Sequence, residues 1–251
     1  MTLRARRGGE GGPTLLLLHG MGATSEAWNG VTERLDRYWD GSWVAPDLPG
    51  HGGSEALEHY SFGHMAAEVA HCVRGADRLV VLGHSLGGVV ALALASGWYG
   101  VRVDAVCGLG IKVSWSEQEL AGAAAAAARP ARSFDNRAQA AERYLKVSGL
   151  SGLVAPDSAE VDAGLVLADG GWRLGMDQRA FGIGAPDMPG LLAAARARVV
   201  LAAGEHDPMS PAADLRALVP DPVILPSLGH NAQVQNPEAV LRLVTHLTNS
   251  R

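Results

Sequence analysis

Five consecutive residues, Gly83-His84-Ser85-Leu86-Gly87, have the spacing of a nucleophile carried on a sharp turn. An apolar run at 79–82 precedes them and a helical pattern opens at Leu86, so the chain changes course at Ser85 itself. A serine on such a corner has a strained backbone, and the flanking glycines remove the Cβ atoms that would strike neighbouring backbone. The turn lifts the hydroxyl clear of the strand and sets it at a helix N-terminus, where the backbone N–H of Leu86 can face a developing oxyanion. A glycine-rich turn with an ordinary serine is the competing reading, and the strand before and the helix after weigh against it. A hydroxyl is a weak nucleophile at neutral pH and needs a base. Nine histidines are on offer.

Stepping outward, the elements that must hold Ser85 are short apolar runs alternating with helical patterns. The runs fall at 15–18, 43–45, 79–82, 103–109, 199–202 and 223–225, and the helical patterns near 28–38, 62–73 and 86–96. That alternation predicts an α/β fold, a mostly parallel twisted sheet with helices on both faces. Ser210-Pro211 and Asn236-Pro237 each place a capping side chain before a proline, which predicts two further helix starts. From 112 to 185 the rhythm stops and the sequence reads as several helices with no strand. Ser116 and Glu119 form a capping box for an alanine-rich helix ending before Pro130, and a second helix runs from about Asp135 to near Gly149. The chain therefore divides into a core, 1–111 and 186–251, and an inserted helical segment, 112–185, within one domain overall; 251 residues suit one large domain.

The formal charge of −5, with arginines scattered along the chain, gives no basic stripe for nucleic acid. The first twelve residues hold three arginines and four glycines with no apolar signal core, and no run is long enough to span a bilayer. The expectation is a cytoplasmic protein with no membrane or nucleic-acid partner. Cys72 and Cys107 are too few to suggest disulfides or a metal site and read as small buried residues.

With these motifs in their places, the chain resembles the α/β-hydrolase superfamily, in the branch of small capped serine hydrolases. His19-Gly20-Met21-Gly22 after the run 15–18 resembles that family's oxyanion loop, and the resemblance makes the Met21 backbone N–H the second oxyanion donor beside Leu86. Asp47-Leu48-Pro49-Gly50-His51-Gly52-Gly53-Ser54 resembles the loop after the next strand, and Trp28 sits where family members often have tryptophan. Only a short stretch precedes His19, where the family usually has two antiparallel strands, so the first is expected to be missing or vestigial.

In this family the catalytic residues run serine, acid, histidine along the chain. His230 follows the last core strand and is the expected base. His19, His51 and His84 lie in motif segments with structural tasks in turns and loops, His206 precedes the acid, and His59, His64, His71 and His246 lie in helical or loop stretches. Asp207, in Gly204-Glu205-His206-Asp207-Pro208 after the run 199–202, matches the family's acid position, with Glu205 as its rival. The acid would hold the His230 ring in the correct tautomer. A serine at position 85 excludes the epoxide hydrolases and haloalkane dehalogenases, which use a carboxylate. Carbon–carbon bond hydrolases often have tryptophan after the histidine and asparagine before the serine, where this chain has Asn231 and His84.

The resemblance implies a carboxylic ester hydrolase that cleaves an ester, lactone or related small acyl compound through an acyl-enzyme, with no cofactor or metal. Carbon–carbon hydrolysis, acyl transfer, or a hydrolase-fold ligand receptor with little turnover are the alternatives. Family caps wall the acyl pocket, which makes Trp115, Phe134, Trp172 and Phe181 candidate substrate contacts, as well as candidates for the insert's own core. Arg137, together with Arg129, Arg132 and Arg173, is a candidate clamp for a substrate carboxylate. Oligomeric state, acyl chain length and pathway are not written in the sequence.

Overall fold

The computed structural model describes residues 1–168 and 170–249. Its strands are β1 (Ala5–Gly8), β2 (Thr14–Leu18), β3 (Ser42–Pro46), β4 (Leu79–His84), β5 (Ala105–Leu109), β6 (Leu165–Ala168), β7 (Gly171–Leu174), β8 (Arg198–Gly204) and β9 (Val223–Leu225). Seven form one sheet in the order β1-β3-β2-β4-β5-β8-β9. Only β1 is antiparallel, pairing with β3 from Ala5 opposite Pro46 to Gly8 opposite Trp43. A single four-residue strand thus stands where two antiparallel strands were weighed.

Side-chain alternation explains how so thin a sheet supports two cores. Leu15, Leu17, Val80 and Leu82 point to one face and pack with Trp28, Val240 and Leu241. Leu16, Leu18, Leu79 and Val81 point to the other and pack with Met65, Val69 and the helix Leu86–Leu94. Every residue of that helix is buried. It can lie this close because a Cβ at Gly87 would come within 2.4 Å of the Leu18 carbonyl oxygen. The helix Phe62–Cys72 begins at Ser61, whose hydroxyl accepts from the His64 N–H, and the helix Pro237–Asn249 begins at Asn236, whose Oδ1 accepts from the Ala239 N–H.

Two local expectations are corrected. Residues 28–38 form no continuous helix but three short turns, Ser25–Trp28, Asn29–Thr32 and Leu35–Arg37; Trp28 is wholly buried, and Gly30 packs against Pro237 so closely that a Cβ would sit 2.6 Å from its Cγ. Ser210 caps no helix: the helix Ala212–Arg216 starts without a side-chain cap and the Ser210 hydroxyl is buried without a partner.

Between β5 and β8 the chain leaves the sheet. The helix Glu117–Ala127 opens with the expected Ser116/Glu119 capping box and buries none of its residues. The helix Arg137–Ser148 is capped by Asn136 and ends at Gly149 in the left-handed conformation. The insert is not all-helical, however: β6 and β7 form an antiparallel hairpin, and Phe134 and Trp172 exchange two backbone hydrogen bonds of 2.8 Å beside it. A small core of its own, with Phe134, Tyr144, Leu145, Val161 and Leu165, holds the insert together. Among the hydrogen bonds that fasten it to the sheet domain, four are short. Asp177 N–H donates to Gly50 O (2.7 Å) and Tyr60 OH to Asp177 Oδ2 (2.9 Å). Asn29 Nδ2 donates to Glu160 Oε1 (2.8 Å) and Asn231 Nδ2 to Gly149 O (3.0 Å).

Candidate active site

Ser85 sits at φ 50°, ψ −116°, a conformation that a side chain enters only under strain. The surroundings impose it. The Ser85 N–H donates to Leu109 O (2.8 Å), its carbonyl accepts from Gly88 N–H (2.9 Å), and a Cβ at Gly83 would lie 2.2 Å from Gly87 O. The turn between β4 and its helix therefore closes only around glycine. Gly20 approaches from the β2 loop, where an added Cβ would be 3.3 Å from the Ser85 Cβ.

The loop after β8 brings Asp207, and the loop after β9 brings His230. Asp207 is buried and its two oxygens have separate tasks. Oδ1 accepts the N–H groups of Met209 (2.8 Å) and Ser210 (3.2 Å), while Oδ2 lies 2.9 Å from His230 Nδ1. An ionised carboxylate is only an acceptor, so Nδ1 carries the proton and Nε2 is left with its lone pair. Gly110, at φ 63°, makes room for this pair; a Cβ there would press within 3.2 Å of Asp207 Oδ2 and 3.4 Å of His230 Nδ1. Ser85 Oγ is not hydrogen-bonded to His230 in this arrangement. Such bonds are often long without substrate and tighten when it binds. Glu205 goes elsewhere: its Oε2 accepts the Ser227 N–H (2.8 Å) and braces the two strand-end loops.

His84 holds the other side of the base. Its ring lies 4.7 Å from that of His230, centroid to centroid, and its Nε2–H donates to the His230 carbonyl (2.9 Å). Burial pushes its pKa well below the ordinary histidine value, so it stays neutral. His19 is neutral for the same reason; Nδ1–H donates to Gly20 O (2.8 Å) and Nε2 accepts the Leu48 N–H (2.8 Å). That histidine locks the His19-Gly20-Met21-Gly22 turn onto the loop after β3. Burial, reinforced by His19, pushes His51 down to about 3, and its Nδ1 meets Pro49 O at 3.1 Å.

Ser85, Leu86 and Met21 together open onto a cleft of about 470 Å³. Phe62, Trp115, Leu120, Val147, Phe181 and Met209 make most of its wall apolar. Lys112 is the one charged residue on that wall; its Nζ pairs with Glu119 (2.6 Å) and lies 5.1 Å from the Trp115 ring centre. Hydrogen bonding from Lys112 and from Ser116 lowers the Glu119 carboxyl to about 2, so the pair is ionised. The structure thus brings Trp115 to the cleft. Phe134 lines a neighbouring cavity instead, and Trp172 packs in the insert's own core. Arg137 reaches neither: Asp162 holds its guanidinium through Nε (2.8 Å) and Nη2, and Pro156 O accepts from Nη1 (2.9 Å). Phe62, Lys112, Val147 and Met209 were not singled out from sequence, because each lies on an element whose own pattern says only helix or loop. Among the described residues no three His, Cys, Asp or Glu side chains gather as metal ligands, and no helix is long and apolar enough to cross a membrane.

A sequence model of the alpha/beta hydrolase family matches residues 15–243, from β2 into the last helix. The chain belongs to that family. An uncharacterised protein of Mycobacterium tuberculosis is 40% identical over 95 residues, 37% of this chain and 27% of the relative. A pimeloyl-[acyl-carrier protein] methyl ester esterase of Salmonella newport is 39% identical over 87 residues, 35% of this chain and 32% of the relative. The chain thus spans about a quarter to a third of the length of these curated relatives. Over nearly the whole fold, the crystal structure of an E-2-(acetamidomethylene)succinate hydrolase superposes with a TM-score of 0.78 at 23% identity, covering 99% of this chain and 95% of that one.

Proposed function

We propose that this protein is a serine hydrolase that cleaves a small carboxylic ester, lactone or related acyl compound through an acyl-enzyme. The observation that carries the reading is the 2.9 Å bond from His230 Nδ1 to a buried Asp207, which leaves Nε2 as a base for a serine held on a strained corner. In the first half-reaction, His230 Nε2 takes the Ser85 proton as Oγ attacks the acyl carbon. The resulting oxyanion is received by the N–H groups of Met21 and Leu86, two residues that line the cleft. The imidazolium, stabilised by Asp207, then returns its proton to the leaving group. In the second half-reaction, water gives a proton to His230 and attacks the acyl-serine, restoring the hydroxyl. No step calls for a metal or cofactor.

Residues 112–185 act as a cap in this reading. They supply Trp115, Leu120, Val147 and Phe181 to the cleft wall and none of the reacting groups. The apolar lining suits an acyl chain, and the name of the Salmonella relative, a methyl ester esterase, agrees with ester cleavage.

A fluorophosphonate probe tests the nucleophile directly. It should label Ser85 near pH 8, and labelling should disappear in His230→Ala. Unmodified Ser85 after prolonged exposure would sink the reading.

A further inference from the structure

Beside the cleft lies a second cavity of about 310 Å³ whose wall carries four arginines, Arg129, Arg132, Arg143 and Arg173, and, among the described residues, no aspartate or glutamate. The concentration of charge is unusual in a chain whose formal charge is −5. Among the described residues, Arg129, Arg132 and Arg143 form no ion pair. Arg132 stacks on Phe134, its guanidinium carbon 4.8 Å from the ring centre, which occupies one face of the guanidinium and leaves its N–H edge for a planar acceptor. Glu142 and Lys146 lie on the outer side, in a depression that also borders Arg132 and Arg143, and Glu142 is ion-paired with neither.

Arg129, Arg132 and Arg143 line one cavity without an ion-pair partner among the described residues, so their charges repel one another, and a bound anion relieves that repulsion. The cavity also shares part of its wall with the reactive cleft. Val147 and Phe181 line both spaces, and Ala123 and Ala124 on the cleft side continue into Ala126 on the arginine side along one helix. A ligand can therefore lie with its reacting end at Ser85, an apolar stretch past Val147 and Phe181, and its far end among the arginines.

We infer that the substrate is bifunctional: besides the acyl bond cleaved at Ser85 it carries a second anionic group, a carboxylate or a phosphate, received by Arg129, Arg132 and Arg143. This rests on the hydrolase reading above and narrows its substrate class. The group that neutralises the arginines does not react; it fixes which esters are held in register with the nucleophile.

The test compares nitrophenyl esters of matched length: a neutral alkanoate, the mono-ester of a dicarboxylic acid, and an ω-phosphonate. The wild type should favour the anionic esters, and the ratio of kcat/KM for anionic over neutral ester should fall at least about tenfold in Arg132→Ala/Arg143→Ala, mainly through KM, the size expected when charge-assisted contacts are lost. Arg143→Lys should keep part of the preference. The two anionic arms decide between carboxylate and phosphate. An equal rate for neutral and anionic esters, or a ratio unchanged by the double variant, overturns the inference. Binding of suberate and of inorganic phosphate to Ser85→Ala, followed calorimetrically, separates this failure from that of the hydrolase reading. Anion binding that survives Ser85→Ala and is lost with Arg132 and Arg143 upholds the anion site even if no ester is turned over; no anion binding to Ser85→Ala overturns it whatever the esterase result.

Discussion

The strand ends around Ser85 and the insert solve opposite problems. Around Ser85 every degree of freedom is removed: the helix behind it is buried throughout, its turn admits only glycine at 83 and 87, and three neutral buried histidines tie the loops together. In the insert, the helix Glu117–Ala127 buries nothing, its face toward the cleft is largely alanine, and Arg129, Arg132 and Arg143, which form no ion pair among the described residues, line the cavity beyond its end. Positions that must be accurate to fractions of an ångström sit where packing is complete. Positions that, in the proposed function, choose among substrates sit where a side chain can change without disturbing the rest.

This contrast can be broken in stages. Ser85→Ala or His230→Ala should each lower kcat/KM by roughly 10⁶, and the double variant should lose little more, because residues that act as a unit are not additive. Additive losses, measured on any turned-over ester, would mean that the base is misassigned. Asp207→Asn should retain the fold by circular dichroism yet lose about 10⁴ in kcat, since an amide favours the wrong histidine tautomer. Glu205→Gln should leave kcat nearly unchanged, and a reversal would move the acid.

The buried histidines give a smaller and different effect. Burial holds His19, His51 and His84 below their unfolded pKa, so the unfolded chain binds more protons than the folded one once the pH drops below about 6.5. Stability should be level above pH 7 and fall from pH 6.5 toward 5, each histidine adding roughly 1.4 kcal/mol per pH unit. Urea midpoints across that range measure it, and a flat profile would mean that these rings are not held neutral.

The smallest effect belongs to the insert. Trp115→Ala should shift the preference along a series of acyl chain lengths, by about 1 to 3 kcal/mol per methylene recognised. Fluorophosphonate labelling of Ser85 should meanwhile continue at an undiminished level. An unchanged chain-length profile would show that the core loops alone shape the pocket.

The same contrast governs what can be read from the sequence. The corner at Ser85 was legible because its geometry is local: a strand, two glycines and a helix start within a few residues. The pairing of Asp207 with His230 was legible through chain order. The hairpin β6–β7 was not, although an Asp-Gly pair between two short apolar runs is a hairpin signal; those runs have only four residues each, too few for alternation to stand out. The arginine cavity was half legible. Arg129, Arg132 and Arg173 were weighed as a clamp, but Arg137 was named in place of Arg143. The two lie six residues apart on one helix, about 120° around its axis, so one meets Asp162 and the other the cavity. No pattern in that helix tells which.

The fastening of the insert bears on how members of this family could exchange parts. Four of its contacts end on Asn29, Gly50, Tyr60 and Asn231, which come from three separate stretches of the core, Gly50 and Tyr60 sharing the loop after β3, and one of them is the immediate neighbour of His230. A foreign insert spliced in at 112 and 185 would leave these four groups facing the wrong chain, and the slack would be felt first beside His230. Recombination here is therefore not the swap of a self-contained cassette. A working chimera would have to bring its own residue at 231 along with its cap.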